Sequence, residues 1–305
     1  MNPYTYQHLE YSANQRLTKK TDRWLQYSVD FPSASGISDS RSSTVSGEYF
    51  QPQGEGKAPL VILLHGMGDR SLVPCRLLAR SLVKRGMACF VLHLVIHSGR
   101  MPEAFKEHYP MLTAEEWSRC YRTSVVDVRQ VIDWADGRPE IDGGNIGLIG
   151  ISFEGFISSI AMAVDQRIGA GVFIVAGGNG EKISHKSRLN SIVKRYRRTE
   201  AEYQRMQNAY RQYLAEVAEK GFEHVTPPEQ SFLTDPMTFA NLLHRRNMLM
   251  INARWDEIIP REATLDFWEA AGRPPSLWFP STHATIWLWY PAIRRRITDF
   301  LMAAF

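Results

Sequence analysis

Apolar residues follow two rhythms along this chain, and the two alternate. Residues 59–64 are a continuous apolar run of strand length, and residues 72–84 then repeat apolar positions at helical spacing until Gly86 stops them. The alternation continues with a strand predicted over 87–96, a helix over 114–136, a strand over 145–151, a helix over 155–165 and a strand over 170–176. Two further apolar strands are predicted at 247–253 and 276–280. Upstream, 23–31 alternates as an edge strand, a Ser/Gly-rich loop covers 33–43, and 44–51 reads as its hairpin partner. Strands separated by helices build a mostly parallel sheet covered on both faces. The pattern therefore predicts an α/β fold on an eight-stranded sheet. Ligands of such sheets bind at the carboxyl ends of the strands.

The rhythm breaks after residue 176, and no strand pattern returns until 247. Between them Leu189, Ile192, Tyr196, Tyr203, Met206, Tyr210, Tyr213 and Val217 recur at steps of three and four, predicting one long amphipathic helix ended by Gly221. The chain divides accordingly into a core first part, 1–180, a helical insertion, 181–240, and a core second part, 241–305. The insertion is either an excursion packed on the sheet's flank or a cap over the substrate entrance. Its place after the sixth predicted strand favours the cap, with Tyr203 and Tyr210 lining the site. The basic run Lys194-Arg195-Tyr196-Arg197-Arg198 reads as a solvated helix face.

Composition narrows the class. A chain of 305 residues, 44% hydrophobic and 22% charged, suits one elaborated globular unit. A net charge of +4 gives no argument for nucleic acid. Cys75, Cys89 and Cys120 are odd in number and read as small core residues, not as a disulfide framework. The first residues lack a basic segment followed by an apolar one, and no apolar run approaches the roughly 18 residues a membrane span needs. The default expectation is a cytoplasmic protein, although a removed signal peptide would leave the same trace.

Candidate chemistry gathers at the predicted strand ends. Gly150-Ile151-Ser152-Phe153-Glu154-Gly155 sets a serine between a strand and a helix. A sharp turn there holds the hydroxyl clear of the backbone, and the helix N-terminus leaves N–H groups free to face a developing negative charge. By itself such a stretch is most often a tight strand-to-helix loop. Its company changes that reading: Asp256 follows the strand at 247–253, and His283 follows the strand at 276–280. Residues 59–64 lead into His65-Gly66-Met67-Gly68, a glycine-rich turn that can present a backbone N–H. Ser152 would then be the nucleophile, His283 its general base, Asp256 the group fixing the imidazole, and the N–H groups of Met67 and Phe153 the oxyanion donors. Asp256 competes with Glu257 and with Asp235, which reads as a helix cap before Pro236. His65 reads as a brace for its loop, with His65 and Gly66 lining the site, and Trp255, Trp287 and Trp289 are candidate walls. No residue pattern calls for a metal or a cofactor.

These motifs, over residues 45–180 and 235–305, resemble the α/β-hydrolase-fold serine hydrolases, and lean toward the dienelactone-hydrolase and acetyl-xylan-esterase-like group. The order serine, acid, histidine is that family's, His65-Gly66-Met67-Gly68 resembles its oxyanion loop, and residues 92–100 resemble its segment ending in His-Gly-x-Arg, with Ser98 interposed. The resemblance implies a carboxylesterase acting through an acyl-enzyme on a small-molecule ester. It leaves a prolyl-oligopeptidase-like peptidase and a catalytically silent scaffold as alternatives, and the oligomeric state open. One departure stands out: Glu154 occupies the position two after the serine where the family has glycine. It must face solvent or find a partner such as Arg119, Arg122 or a backbone donor.

Overall fold

A computed structural model describes the chain except for residues 1, 37–41, 67–71, 97–98, 108, 110 and 189–197. Its strands are β1 (Asn14–Lys20), β2 (Trp24–Pro32), β3 (Thr44–Pro52), β4 (Ala58–Leu64), β5 (Ala88–His93), β6 (Ile141–Ile151), β7 (Ile168–Ile174), β8 (Asn247–Ala253) and β9 (Ser276–Phe279). They form one sheet in the order β1-β2-β3-β5-β4-β6-β7-β8-β9. The run from β5 to β9 is parallel, and β1, β2 and β3 continue it antiparallel. The sheet therefore has nine strands, one more than the apolar pattern predicts. The additional strand, β1, is polar and almost wholly exposed, with a lysine pair at its end. An outer strand of that composition carries no period-two signal, and its charges discourage pairing with another chain.

Helices α1 (Leu72–Val83), α2 (Glu103–Lys106), α3 (Ala114–Asp136), α4 (Phe153–Val164), α5 (Gly180–Lys186), α6 (Glu200–Lys220), α7 (Arg261–Ala270) and α8 (Tyr290–Ala304) cover the sheet. Two buried apolar clusters result. One lies under α3 and α4 and takes in Phe90, Trp134, Ile160 and Phe173; the other lies under α1 and α8 and takes in Leu78, Val172, Ile251 and Ile297. Helix α3 starts where the sequence allows, since Thr113 and Glu116 form a reciprocal capping box.

The insertion is helical but shorter in its main helix than the periodicity predicts. Helix α6 begins after Thr199, whose side chain accepts from the Glu202 N–H while Glu202 reaches back to the Thr199 N–H, and it ends at Gly221 with φ 83°. A capping box at Thr199 and Glu202 is a helix start. Leu189, Ile192 and Tyr196 lie outside the described residues, as does the basic run up to Arg197, while Arg198 pairs with Glu181 at 2.8 Å.

The buried stripe of α6 turns toward the body of the protein. Tyr210 and Tyr213 pack on Phe232 with ring centroids 4.4 and 5.4 Å away, Phe222 meets Phe239 at 4.8 Å, and the Tyr4 hydroxyl donates to Leu233 O at 2.6 Å. The 3-10 turns carrying Phe232 and Phe239 lie against α3 and α4. Among the described residues, the stripe is a buttress.

Candidate active site

The turn between β6 and α4 is held by close packing on both sides of Ser152. A side chain on Gly150 would run into Ser158 and lie 2.6 Å from Glu154 O, and one on Gly155 would overlap Ala176. The glycine that lets helix and strand approach is therefore Gly155, three places after the serine, which frees position 154 for a larger residue. Ser152 sits at φ 59°, ψ −124°, a region that side chains other than hydrogen rarely occupy, and its N–H donates to Ile174 O at 2.8 Å. A backbone held there costs about 1–3 kcal/mol and persists because its surroundings impose it.

Ser152, His283 and Asp256 form one hydrogen-bonded line. Ser152 Oγ lies 2.8 Å from His283 Nε2, and His283 Nδ1 lies 2.9 and 2.8 Å from the two oxygens of Asp256. Asp256 Oδ1 also accepts the N–H groups of Ile258 and Ile259 at 2.9 and 2.8 Å, so the carboxylate is fixed by its own loop before it meets the imidazole. Since the acid takes the Nδ1 proton, Nε2 is left as the acceptor facing the serine hydroxyl. The Phe153 and Glu154 N–H groups, in the first turn of α4, have no intrahelical acceptor and face the same end of the sheet.

Glu257, a rival for the acid's place, does something else. Its carboxylate accepts the His283 N–H at 3.1 Å, and its carbonyl accepts the Arg188 N–H at 2.8 Å. With Trp255 N–H donating to Ser281 O at 3.0 Å, the acid loop and the histidine loop are tied to each other. Asp235 is indeed a cap, accepting the Met237 N–H, and it also takes the N–H groups of Asn179 and Gly180.

Glu154 meets neither expectation for it. It is fully buried, neither carboxylate oxygen makes a hydrogen bond, and Arg122 is committed to Ser35 O and Thr5 O. Burial pushes its pKa well above the ordinary carboxyl range, and the pull of its own backbone N–H does not offset that. Burial therefore favours the protonated, uncharged form of the side chain behind the helix N-terminus next to Ser152.

The remaining candidates separate. His65 is buried, with Nδ1 2.7 Å from Gly66 O and Nε2 accepting the Leu94 N–H at 3.4 Å, an arrangement that braces two loops. Met67 lies outside the described residues. Trp255 stands beside the acid loop, 63% exposed. Trp287 packs against the α1 and α8 cluster, on the other side of the sheet from α4. Tyr203 and Tyr210 do not line the site; they border a separate cleft with Asn179, Gln207 and Asp266, where Tyr203 stacks on His185 at 4.1 Å. Helix periodicity identifies a buried face but not what buries it.

Sequence reasoning missed the aromatic wall next to Ser152. Phe153 has ring centroids 5.2 Å from Trp117, 5.1 Å from Tyr121 and 6.3 Å from Phe156, and Tyr109 lies 6.5 Å from Trp117. The available signal was Trp117 and Tyr121, an i, i+4 aromatic pair on α3. Arg100, at the end of the segment after β5, is buried in an ion pair with Asp127 at 2.8 Å and donates to His93 O and Ser42 O, so it clamps that segment to α3.

The model of the X-Pro dipeptidyl-peptidase (S15) family matches residues 116–285, more than half of the chain and all three members of the hydrogen-bonded line. The chain belongs to the S15 family. No curated protein sequence matches it. Solved structures that resemble this S15 family member share its architecture at low identity. An acetyl xylan esterase from Paenibacillus is 18% identical with a TM-score of 0.64, covering 96% of this chain and 89% of that one. A cold-adapted esterase from an Arctic intertidal metagenomic library, in complex with polyethylene glycol, is 14% identical with a TM-score of 0.62 over 95% of this chain and 99% of that one. An α/β hydrolase from Penicillium is 17% identical with a TM-score of 0.58 over 92% and 98%. At these identities the likeness is one of fold, the α/β-hydrolase fold. No helix among the described residues is long and apolar enough to cross a membrane.

Proposed function

We propose that this S15 family hydrolase is a serine carboxylesterase whose acyl-enzyme forms on Ser152. The observation that carries the reading is the Ser152–His283–Asp256 line at 2.8–2.9 Å on a strained elbow. As Ser152 Oγ attacks the ester carbon, His283 Nε2 takes its proton, and Asp256 stabilises the imidazolium. The oxyanion is met by the Phe153 N–H, with the Met67 N–H as the second donor. His283 then protonates the departing alkoxide, and a water deprotonated by the same nitrogen hydrolyses the acyl group. Phe153, Trp117 and Tyr121 offer an apolar surface beside the reacting carbon.

The family description favours a second reading, a peptidase releasing an X-Pro dipeptide. A peptidase that selects a free α-amine needs an accessible carboxylate near the serine. Among the described residues, Asp256 and Glu257 are bonded to His283 and Glu154 is buried. That arrangement favours the ester. Fluorophosphonate labelling of wild type and Ser152→Ala, followed by turnover of p-nitrophenyl acetate against Ala-Pro-p-nitroanilide, tests both. Labelling lost in the variant with faster ester turnover is expected; faster anilide turnover selects the peptidase, and an unlabelled wild type refutes both.

A further inference from the structure

The sheet edge opposite the catalytic one carries a cleft that the hydrolase chemistry leaves unexplained. Helix α1 returns from the end of β4 to the start of β5, so Lys84 and Arg85, just past its last turn, lie at the N-terminal edge of the parallel strands. Arg23 reaches the same place from the turn between β1 and β2, and Arg294 and Arg295 reach it from α8. The space between them is about 650 Å³. Its single carboxylate, Asp299, already lies 3.7 Å from Arg295.

Four of the five cations that line this cleft have no carboxylate partner. Arg23, Lys84, Arg85 and Arg294 make no ion pair among the described residues, and only Arg295 faces a carboxylate, that of Asp299. A second hollow of about 440 Å³ shares Arg23 and Lys84 and adds Lys19, Arg80 and one carboxylate, Asp22. The Arg80 Nε is buried with no hydrogen-bond partner. Cations at the end of α1 are favoured by its C-terminal carbonyls, which accounts for Lys84 and Arg85. It does not account for Arg23 on a hairpin turn or for Arg294 and Arg295 in the first half of α8. Like charges brought together in a concavity repel, and a bound anion relieves that repulsion.

We propose that this cleft binds a small polyanion bearing phosphate groups. Guanidinium groups pair with phosphate oxygens through two parallel N–H donors, lysine adds a point charge, and a concavity of this size suits a ligand of small-molecule dimensions. Because the cleft is across the sheet from Ser152, the ligand and an ester substrate bind together without competing.

Titration calorimetry with inorganic pyrophosphate, at fixed ionic strength and with sodium chloride as control, tests this. Saturable one-to-one binding is expected, weakened at least about tenfold in Lys84→Glu/Arg294→Glu, with the melting temperature and p-nitrophenyl acetate hydrolysis unchanged. Arg23→Gln, on an exposed turn, serves as the second variant if the double one fails to fold, and should show a smaller loss. A parallel arm uses phosphatidylserine vesicles. No saturable pyrophosphate binding, binding indifferent to these substitutions, or binding to vesicles alone would each overturn the proposal.

Discussion

The sheet edge that carries Ser152, Asp256 and His283 and the helical insertion are both rich in buried aromatic and polar residues, yet they use them differently. At that edge the polar groups are held by loop backbone: Asp256 by the Ile258 and Ile259 N–H groups, His283 by Glu257. At the insertion, Gln207 and Asn179 at its base hold each other side chain to side chain at 2.8–3.0 Å, while Tyr210 and Tyr213 fill space around Phe232. The difference teaches where a substitution should register. Changes at the edge should alter rate with little effect on stability, and changes in the stripe should do the reverse.

The largest expected effect is at Ser152. Ser152→Ala should lower ester turnover by about 10⁴-fold or more, with a melting curve that overlays wild type. Retained turnover above a few per cent would move the nucleophile elsewhere. Asp256→Asn leaves the shape but presents an amide donor to Nδ1, so a loss of about 10⁴-fold in kcat is expected, again at constant stability. If stability falls instead, the acid loop depends on that carboxylate for its fold, and the contrast between the two regions weakens.

Tyr210→Ala should show the opposite pattern, a loss of about 3–5 kcal/mol in unfolding free energy and an unchanged acyl-chain preference across p-nitrophenyl esters. A shifted preference with an unaltered melting temperature would restore the cap reading of the insertion.

The smallest effect, and the one that crosses the boundary between the regions, concerns Glu154. Its folded-state pKa is raised, so folding favours the protonated form. Stability is then highest below the ordinary glutamate value of 4.5 and declines as pH rises toward the folded value, because the unfolded chain releases the proton first. Glu154→Gln should remove that decline. Its melting temperature should match wild type near pH 4 and exceed it by about 2–4 °C near pH 8. A gap that is constant with pH would mean that Glu154 does not change its protonation between the folded and unfolded states.

Much of the site was legible because its signals are local or ordinal. Ser152, Asp256 and His283 each follow a continuous apolar strand, and parallel strands deliver their ends to one edge whatever the details of packing. The insertion was legible as helix for the same reason. Its facing was not: a stripe at three- and four-residue steps says that Tyr203 and Tyr210 are covered, and only the fold shows that Phe232 and His185 cover them. The same holds for Trp287, which lies near His283 in sequence and packs against the α1 and α8 cluster on the far side of the sheet from α4.

The sequence by itself therefore determined the alternation of strands and helices, the parallel sheet and the placing of Ser152, Asp256 and His283 at strand ends, since each depends on neighbours within a few residues. Tertiary structure decided what depends on distant neighbours. β1 joins the sheet because β2 offers it an open edge, not because its own residues are apolar. The core closes over Glu154 and so favours its protonated form, and Gly155 takes the close-packing place because Ala176 lies against it. Five cations from a turn and two helices meet in one cleft because α1 and α8 pack on the same face of the sheet, a coincidence that no window of sequence contains.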